Sequence, residues 1–273
     1  MDDAFASPPP TCTVALLSFP APFVMLVTIN RESSMNSIPM KGHWEGQALW
    51  DWFDDEPALR VAILTGKGNK AFSSGADLLE VRSLTADHWP RKVPPNSFFG
   101  ISQRVGKKPV IAAVNGYAFG GGFEMTLNCD IVIASPHASF SLPEVKRGIV
   151  AGAGGLPRLV RVFGMQLASD MVLTGRTVSP GELKHHGFLK ISSTPESLLD
   201  EALDMAKHIA AQSPDAILVT RSALRQAWAA DVDQSARMTS QLYEKALMEG
   251  ENARIGLKAF SEKRVPKWVA SKL

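Results

Sequence analysis

Short apolar runs recur through the first two-thirds of the chain, at Phe23 to Ile29, Val61 to Leu64, Val110 to Val114 and Ile131 to Ala134. Runs this short, rich in Val and Ile and bounded by turn residues, predict strands buried on both faces. Between them Lys41 to Phe53 and Glu124 to Cys129 read as helices, which makes the first part of the chain α/β. From Ser179 onward the pattern turns wholly helical. In Glu196 to Gln212 the residues Leu198, Leu199, Ala202, Leu203, Ala206, Ile209 and Ala210 fall on one stripe of period 3.6, ending before Ser213-Pro214. The division this predicts is a flexible leader over 1–12, an α/β core over 13–195, a helical region over 196–270 and a terminal tripeptide, 271–273.

Composition narrows the class. The chain has 273 residues, 45% hydrophobic and 21% charged, with net charge +2, enough for one large core and too balanced for a dedicated nucleic-acid binder. No run approaches the length of a membrane helix, so no membrane span is expected. The opening Asp2-Asp3 and Pro8-Pro9-Pro10 resemble neither a secretory signal nor a transit peptide. With Cys12 and Cys129 alone, a structural disulfide is not expected. His185-His186 lacks any ligand partner at metal-site spacing and reads as surface, and Gly66-Lys67-Gly68-Asn69-Lys70 falls short of a phosphate loop. The chain ends in Ser271-Lys272-Leu273, the tripeptide read by a peroxisomal import receptor, which predicts that location.

Two glycine-bearing corners hold the candidate chemistry. After the apolar run ending at Val114 come Asn115-Gly116-Tyr117-Ala118-Phe119-Gly120-Gly121-Gly122-Phe123-Glu124. Three successive glycines let a backbone N–H approach a ligand without a Cβ in the way. A helix opening there presents free N–H groups and partial positive charge, which suits an oxyanion. Upstream, Val61 to Gly66 precedes Ala71-Phe72-Ser73-Ser74-Gly75-Ala76-Asp77, and Asp77 with Glu80 has capping-box spacing. That leaves the Ala76 N–H just ahead of a helical turn, so Ala76 and Gly121 could clamp one oxygen. Glu124 and Glu144, twenty residues apart, supply carboxyl groups. Each feature alone has a plainer reading: a glycine run as a tight turn, a first-turn Glu as a favourable helix charge, Phe119 and Phe123 as core. Their order and combination favour function.

In that order, with Asn30-Arg31 through Met35-Asn36, Lys108-Pro109, Cys129 to Ala134, Phe140 to Glu144 and Gly152-Ala153-Gly154-Gly155-Leu156-Pro157-Arg158-Leu159, the chain resembles the crotonase, or enoyl-CoA hydratase/isomerase, superfamily. The similarity runs from about Val24 into the C-terminal region. It implies a ββα spiral core with a C-terminal helical trimerisation region, assembled as a homotrimer or a dimer of trimers. It also implies that Ala76 and Gly121 donate to the thioester oxygen of an acyl-CoA, that Glu124 activates a water and that Glu144 delivers the α-proton. Phe72, Ser74, Gly75, Asp77, Phe119, Gly120, Gly122 and Phe123 would surround the substrate, and Gly152 would support the water. Lys263 would reach a neighbouring subunit's CoA. No metal and no redox cofactor is expected, coenzyme A being part of the substrate.

Both acids being present favours an acyl-CoA hydratase or dehydratase. Two carboxyl groups around one water are expected to share a proton and titrate together. A Δ3,Δ2-enoyl-CoA isomerase, a pathway-specific 3-hydroxyacyl-CoA dehydratase acting for instance on a mevalonyl thioester, and a non-catalytic acyl-CoA-binding scaffold are the alternatives. Glu32-Ser33-Ser34, Leu142 and Ala151 depart from the family pattern and bear on substrate choice rather than on the acids. The segment Leu84 to Ser97, with Trp89-Pro90 and Pro94-Pro95, is expected to cover the acyl tail.

Overall fold

The computed structural model describes residues 5–83 and 92–273. Among the described residues the strands are β1 (Ala15–Ala21), β2 (Val24–Ile29), β3 (Val61–Gly66), β4 (Ala71–Ser73), β5 (Val110–Val114), β6 (Tyr117–Phe119), β7 (Ile131–Ala134), β8 (Ser139–Ser141) and β9 (Lys190–Ile191). The apolar runs build a six-stranded sheet in the order β1-β2-β3-β5-β7-β9, and the three-residue strands build a second one, β4-β6-β8. Apart from the antiparallel β1–β2 hairpin, all pairs are parallel. Each turn of the chain lays one strand in each sheet and then coils: α2 (Leu78–Ser83) follows β4, α3 (Gly121–Asn128) follows β6, and a 3₁₀ turn, Glu144–Arg147, follows β8. Stacking the turns therefore stacks the corners. The helix α1 (Met40–Asp55) closes one side.

Alternation along each strand separates two cores. Met25, Val27, Ile29, Leu64, Ala112 and Val114 face inward with Trp50, Phe53, Phe72, Phe123 and Phe140. Val24, Leu26, Val61, Ile63, Ile111, Ala113 and Ile133 face the other way and are covered by α7 (Leu198–Ala210) through Leu198, Ala202, Ala206 and Ala210. The helical stripe read from the sequence thus packs on this chain's own sheet. The alanines let the helix sit close to it.

Beyond the spiral lie α4 (Gly155–Phe163), α5 (Met165–Thr174), α6 (Pro180–Lys184), α8 (Pro214–Gln226), α9 (Val232–Thr239), α10 (Lys245–Met248) and α11 (Glu251–Ser261). The two-residue β9 falls inside the stretch expected to be wholly helical. Strand β1 was not foreseen either, its pattern being broken by Pro20, which an edge strand tolerates. Leader residues 5–12 form no regular element, yet Phe5 packs 4.6 Å from Phe19 and 5.6 Å from Trp52, and the Ala6 N–H donates to Glu56 Oε2 at 2.9 Å. The tail returns over α7 and α8: Trp268 Nε1 donates to the Ala211 carbonyl at 2.8 Å, and Ser271 Oγ bonds Asp215. Among the described residues no helix is long and apolar enough to cross a membrane, and no cluster of His, Cys, Asp and Glu could hold a metal.

Candidate active site

At the first corner, hydrogen bonds consume the N–H groups around Ala76. Ser74 donates to Met35 O at 3.0 Å, Gly75 to Ser73 Oγ at 3.2 Å and Asp77 to Ile38 O at 3.1 Å. The Ala76 N–H has no acceptor among the described residues. At the second corner the Gly120 N–H donates to Ser141 O at 2.9 Å and α3 begins at Gly121, whose N–H likewise lacks an acceptor among the described residues. Backbone angles explain two of the glycines: Gly75 has φ +93° and Gly120 φ +54°. The corners touch, since a Cβ at Gly75 would stand 2.9 Å from Phe119 O and 3.2 Å from the Gly121 nitrogen.

One turn into α3, Glu124 is 3% exposed, and its Oε1 accepts the Gly155 N–H at 2.8 Å. Burial pushes its carboxyl up to about 7, and the charge of Glu144 adds to this, against the N–H groups of Gly155 and Ala153 and the charge of Arg158. Glu144 opens the 3₁₀ turn after Pro143. Burial raises its pKa too, opposed by its own N–H and by Arg147. Its Oε2 is buried without a partner among the described residues.

A cleft of about 660 Å³ gathers these groups. Of the residues singled out in the sequence, Ser74, Gly75, Ala76, Asp77, Phe119, Gly120, Gly121, Glu124, Glu144 and Gly152 line it. Phe72 and Phe123 do not: both are fully buried, Phe123 against Phe140 and Phe188, because their side chains face the space between the sheets. Gly122 serves packing, as a Cβ there would meet Ser73 O at 2.2 Å. Lys263 lies past the end of α11, outside this chain's cleft. Asp77 pairs with Arg31 at 3.0 Å, but the Glu80 arm of the capping box is not made. Glu80 reaches across to the Met40 N–H at 2.7 Å and caps α1 instead.

Sequence reasoning missed Met35, Leu78, Leu79, Phe98, Arg147, Ile149 and Val150 as cleft residues. Phe98 sits where a Cβ on Gly121 would strike its ring and stacks 4.5 Å from His43, on a loop of positive φ at Ser97 and Phe99 that has no sequence period. Most of the expected acyl cover, residues 84–91, lies outside the described residues. A smaller cleft of about 110 Å³, between Asp54, Arg60, Lys108, Ile217 and Leu273, contains none of the paired acids or free N–H groups.

A family model described as enoyl-CoA hydratase/isomerase matches residues 22–271. The chain belongs to the enoyl-CoA hydratase/isomerase family. It is 46% identical to the mevalonyl-coenzyme A hydratase sidH of Aspergillus fumigatus, over 97% of this chain and 98% of that one. It is 44% identical to the mevalonyl-coenzyme A hydratase SIDH of Beauveria bassiana, over 98% and 99%. The carnitinyl-CoA dehydratase of Escherichia coli K12 is 36% identical over 90% and 94%. The crystal structure of an enoyl-CoA hydratase from Bacillus anthracis superimposes with TM-score 0.86 at 32% identity, covering 95% of this chain and all of that one. The family member described here therefore has the crotonase fold, a spiral core with a C-terminal helical region, and is a hydratase-type lyase of acyl-CoA thioesters.

Proposed function

We propose that the enzyme interconverts a 3-hydroxyacyl-CoA and its 2-enoyl-CoA with Glu124 and Glu144 as the acid/base pair. The observation behind this reading is that a buried Glu124, a Glu144 with an unpartnered oxygen and the free N–H groups of Ala76 and Gly121 line one cleft. The two N–H groups take the thioester oxygen and stabilise the negative charge that grows there as the α-carbon is deprotonated. Loss of one such donor costs about 10²–10³ in rate. For water removal, Glu144 accepts the α-proton and protonated Glu124 gives its proton to the leaving 3-hydroxyl. Hydration runs the same steps backwards, Glu124 activating the water and Glu144 protonating the α-carbon. Either direction needs the pair to hold one proton, which burial and mutual repulsion favour near neutral pH.

The proposed substrate is a short, branched, hydroxylated acyl-CoA of the mevalonyl type. Two relatives named for mevalonyl-coenzyme A, at 46% and 44% identity, support this. So does a cleft that mixes Leu78, Leu79, Ile149 and Val150 with Ser37, Ser74 and Arg147. We further propose import into peroxisomes through Ser271-Lys272-Leu273, and assembly as a homotrimer or pair of trimers. Val232, Leu257, Phe260 and Val265, each more than 60% exposed in the C-terminal region, are apolar surface that such assembly would cover. The test is a panel of mevalonyl-, 3-hydroxybutyryl- and long-chain 3-hydroxyacyl-CoA thioesters, with matched 3-enoyl isomers. Water loss fastest from mevalonyl-CoA is expected. Double-bond migration without water exchange would instead make the enzyme an isomerase.

A further inference from the structure

Glu124 takes its hydrogen bond from a peptide that is gripped at its other end. The Gly155 N–H on Glu124 Oε1 and the Gly154 carbonyl belong to one peptide unit, and Arg158 Nη1 donates to that carbonyl at 2.8 Å. Between two glycines, the first at φ +94°, little steric resistance opposes rotation of this peptide. Arg158 is itself anchored: its Nε donates to Asn128 Oδ1 at 3.1 Å. The Asn128 amide donates to Ile101 O at 2.6 Å and Arg104 O at 2.8 Å, and its Oδ1 also accepts Arg225 Nη1 at 2.8 Å. Arg225, on α8, pairs with Asp130 at 2.9 Å. A continuous set of hydrogen bonds therefore joins Glu124 to the C-terminal helices.

We propose that Arg158 is a positioning residue: it clamps the Gly154–Gly155 peptide by its carbonyl, so that the N–H end of the same peptide stays aimed at Glu124, and it anchors that clamp through Asn128 to Arg225. A cationic donor on the carbonyl also polarises the N–H, strengthening its bond to the ionised Glu124. The charged groups facing Glu124 are Glu144 and Arg158, and those facing Arg158 are Glu124 and Arg225. Without Arg158 the ionised form of Glu124 loses its cation. The last proton of the acid pair is then held to higher pH.

This inference rests on the acid/base reading of Glu124. The test compares wild-type, R158Q and R158K enzymes at full length, with kcat, KM and the pH profile of kcat/KM measured on 3-hydroxybutyryl-CoA or whichever panel thioester the wild type turns over. Both variants should lose about tenfold or more in kcat with little change in KM, as misplacement of a catalytic group does. R158Q should move the alkaline limb of the profile to higher pH, whereas R158K, which keeps the charge, should restore its position. Folded R158Q with unchanged kcat and limb would overturn the proposal. Loss of folded protein in both variants would overturn it as well, by assigning Arg158 to structure alone. A wild type inert towards the whole panel would instead sink the hydratase reading beneath it.

Discussion

Replacing Glu124 with Gln should stabilise the protein while sharply lowering turnover, and the gain should depend on pH in a defined direction. Glu124 is 3% exposed, and burial raises its pKa from 4.5 to about 7. Because the folded-state value lies above the unfolded one, this group costs nothing below pH 4.5 and progressively destabilises the fold as pH rises through 7. At about 1.4 kcal/mol per pH unit the full cost is about 3 kcal/mol. A Gln amide keeps the shape and can still accept the Gly155 N–H, but it never ionises. Chemical denaturation of both proteins at equal concentration should therefore give similar stabilities near pH 4.5, and a gain for E124Q approaching about 3 kcal/mol by pH 8. In thermal unfolding that is several degrees, at about 2–4 °C per kcal/mol for a chain near this size. A gain that did not grow with pH, or a loss at pH 8, would refute the claim that this carboxylate is held ionised at the expense of the fold. Stability given up at a working group is a common trade.

Three further outcomes follow from the same geometry. The pH profile of kcat/KM should be bell-shaped, with the alkaline limb near pH 7, where the acid pair loses its last proton; activity still rising at pH 9 would contradict it. Gly120→Ala would force a side chain into φ +54° and place its Cβ 2.8 Å from Glu144 Oε1. It should cost about 1–3 kcal/mol of stability and depress kcat, read by denaturation and turnover on the same preparation. R158Q and R158K should separate clamp from charge as set out above, by kcat and by the alkaline limb respectively.

The strands β2, β3, β5 and β7 and the helix α7 were legible because burial on both faces writes continuous apolar runs, and one helical face writes a 3.6 period. The strands β4, β6 and β8 were not, since three residues hold no period and pair only because the spiral stacks them. At the site, Ala76, Gly121 and Glu124 could be placed together because they sit at backbone corners that glycine marks, and Glu144 through its place in the family pattern. Phe123 and Phe72 were misplaced for the opposite reason: nothing in a Phe tells whether its side chain turns to a cleft or to the space between two sheets. Phe98 reaches the cleft from an irregular loop and Arg147 from a single 3₁₀ turn, neither with a sequence period, and Arg158, though inside a matched motif, touches Glu124 only through a carbonyl that the motif does not reveal. The unmade arm of the Asp77–Glu80 capping box shows the limit of local spacing. A helix start brought close by the fold, at Met40, competed for the same carboxylate and won.

The most direct test of the two-acid account is dehydration of one 3-hydroxyacyl-CoA by the E124Q and E144Q variants, each confirmed folded, beside the wild type. The account predicts that each substitution alone lowers kcat by about 10²–10⁴. Either variant retaining the wild-type rate would contradict it.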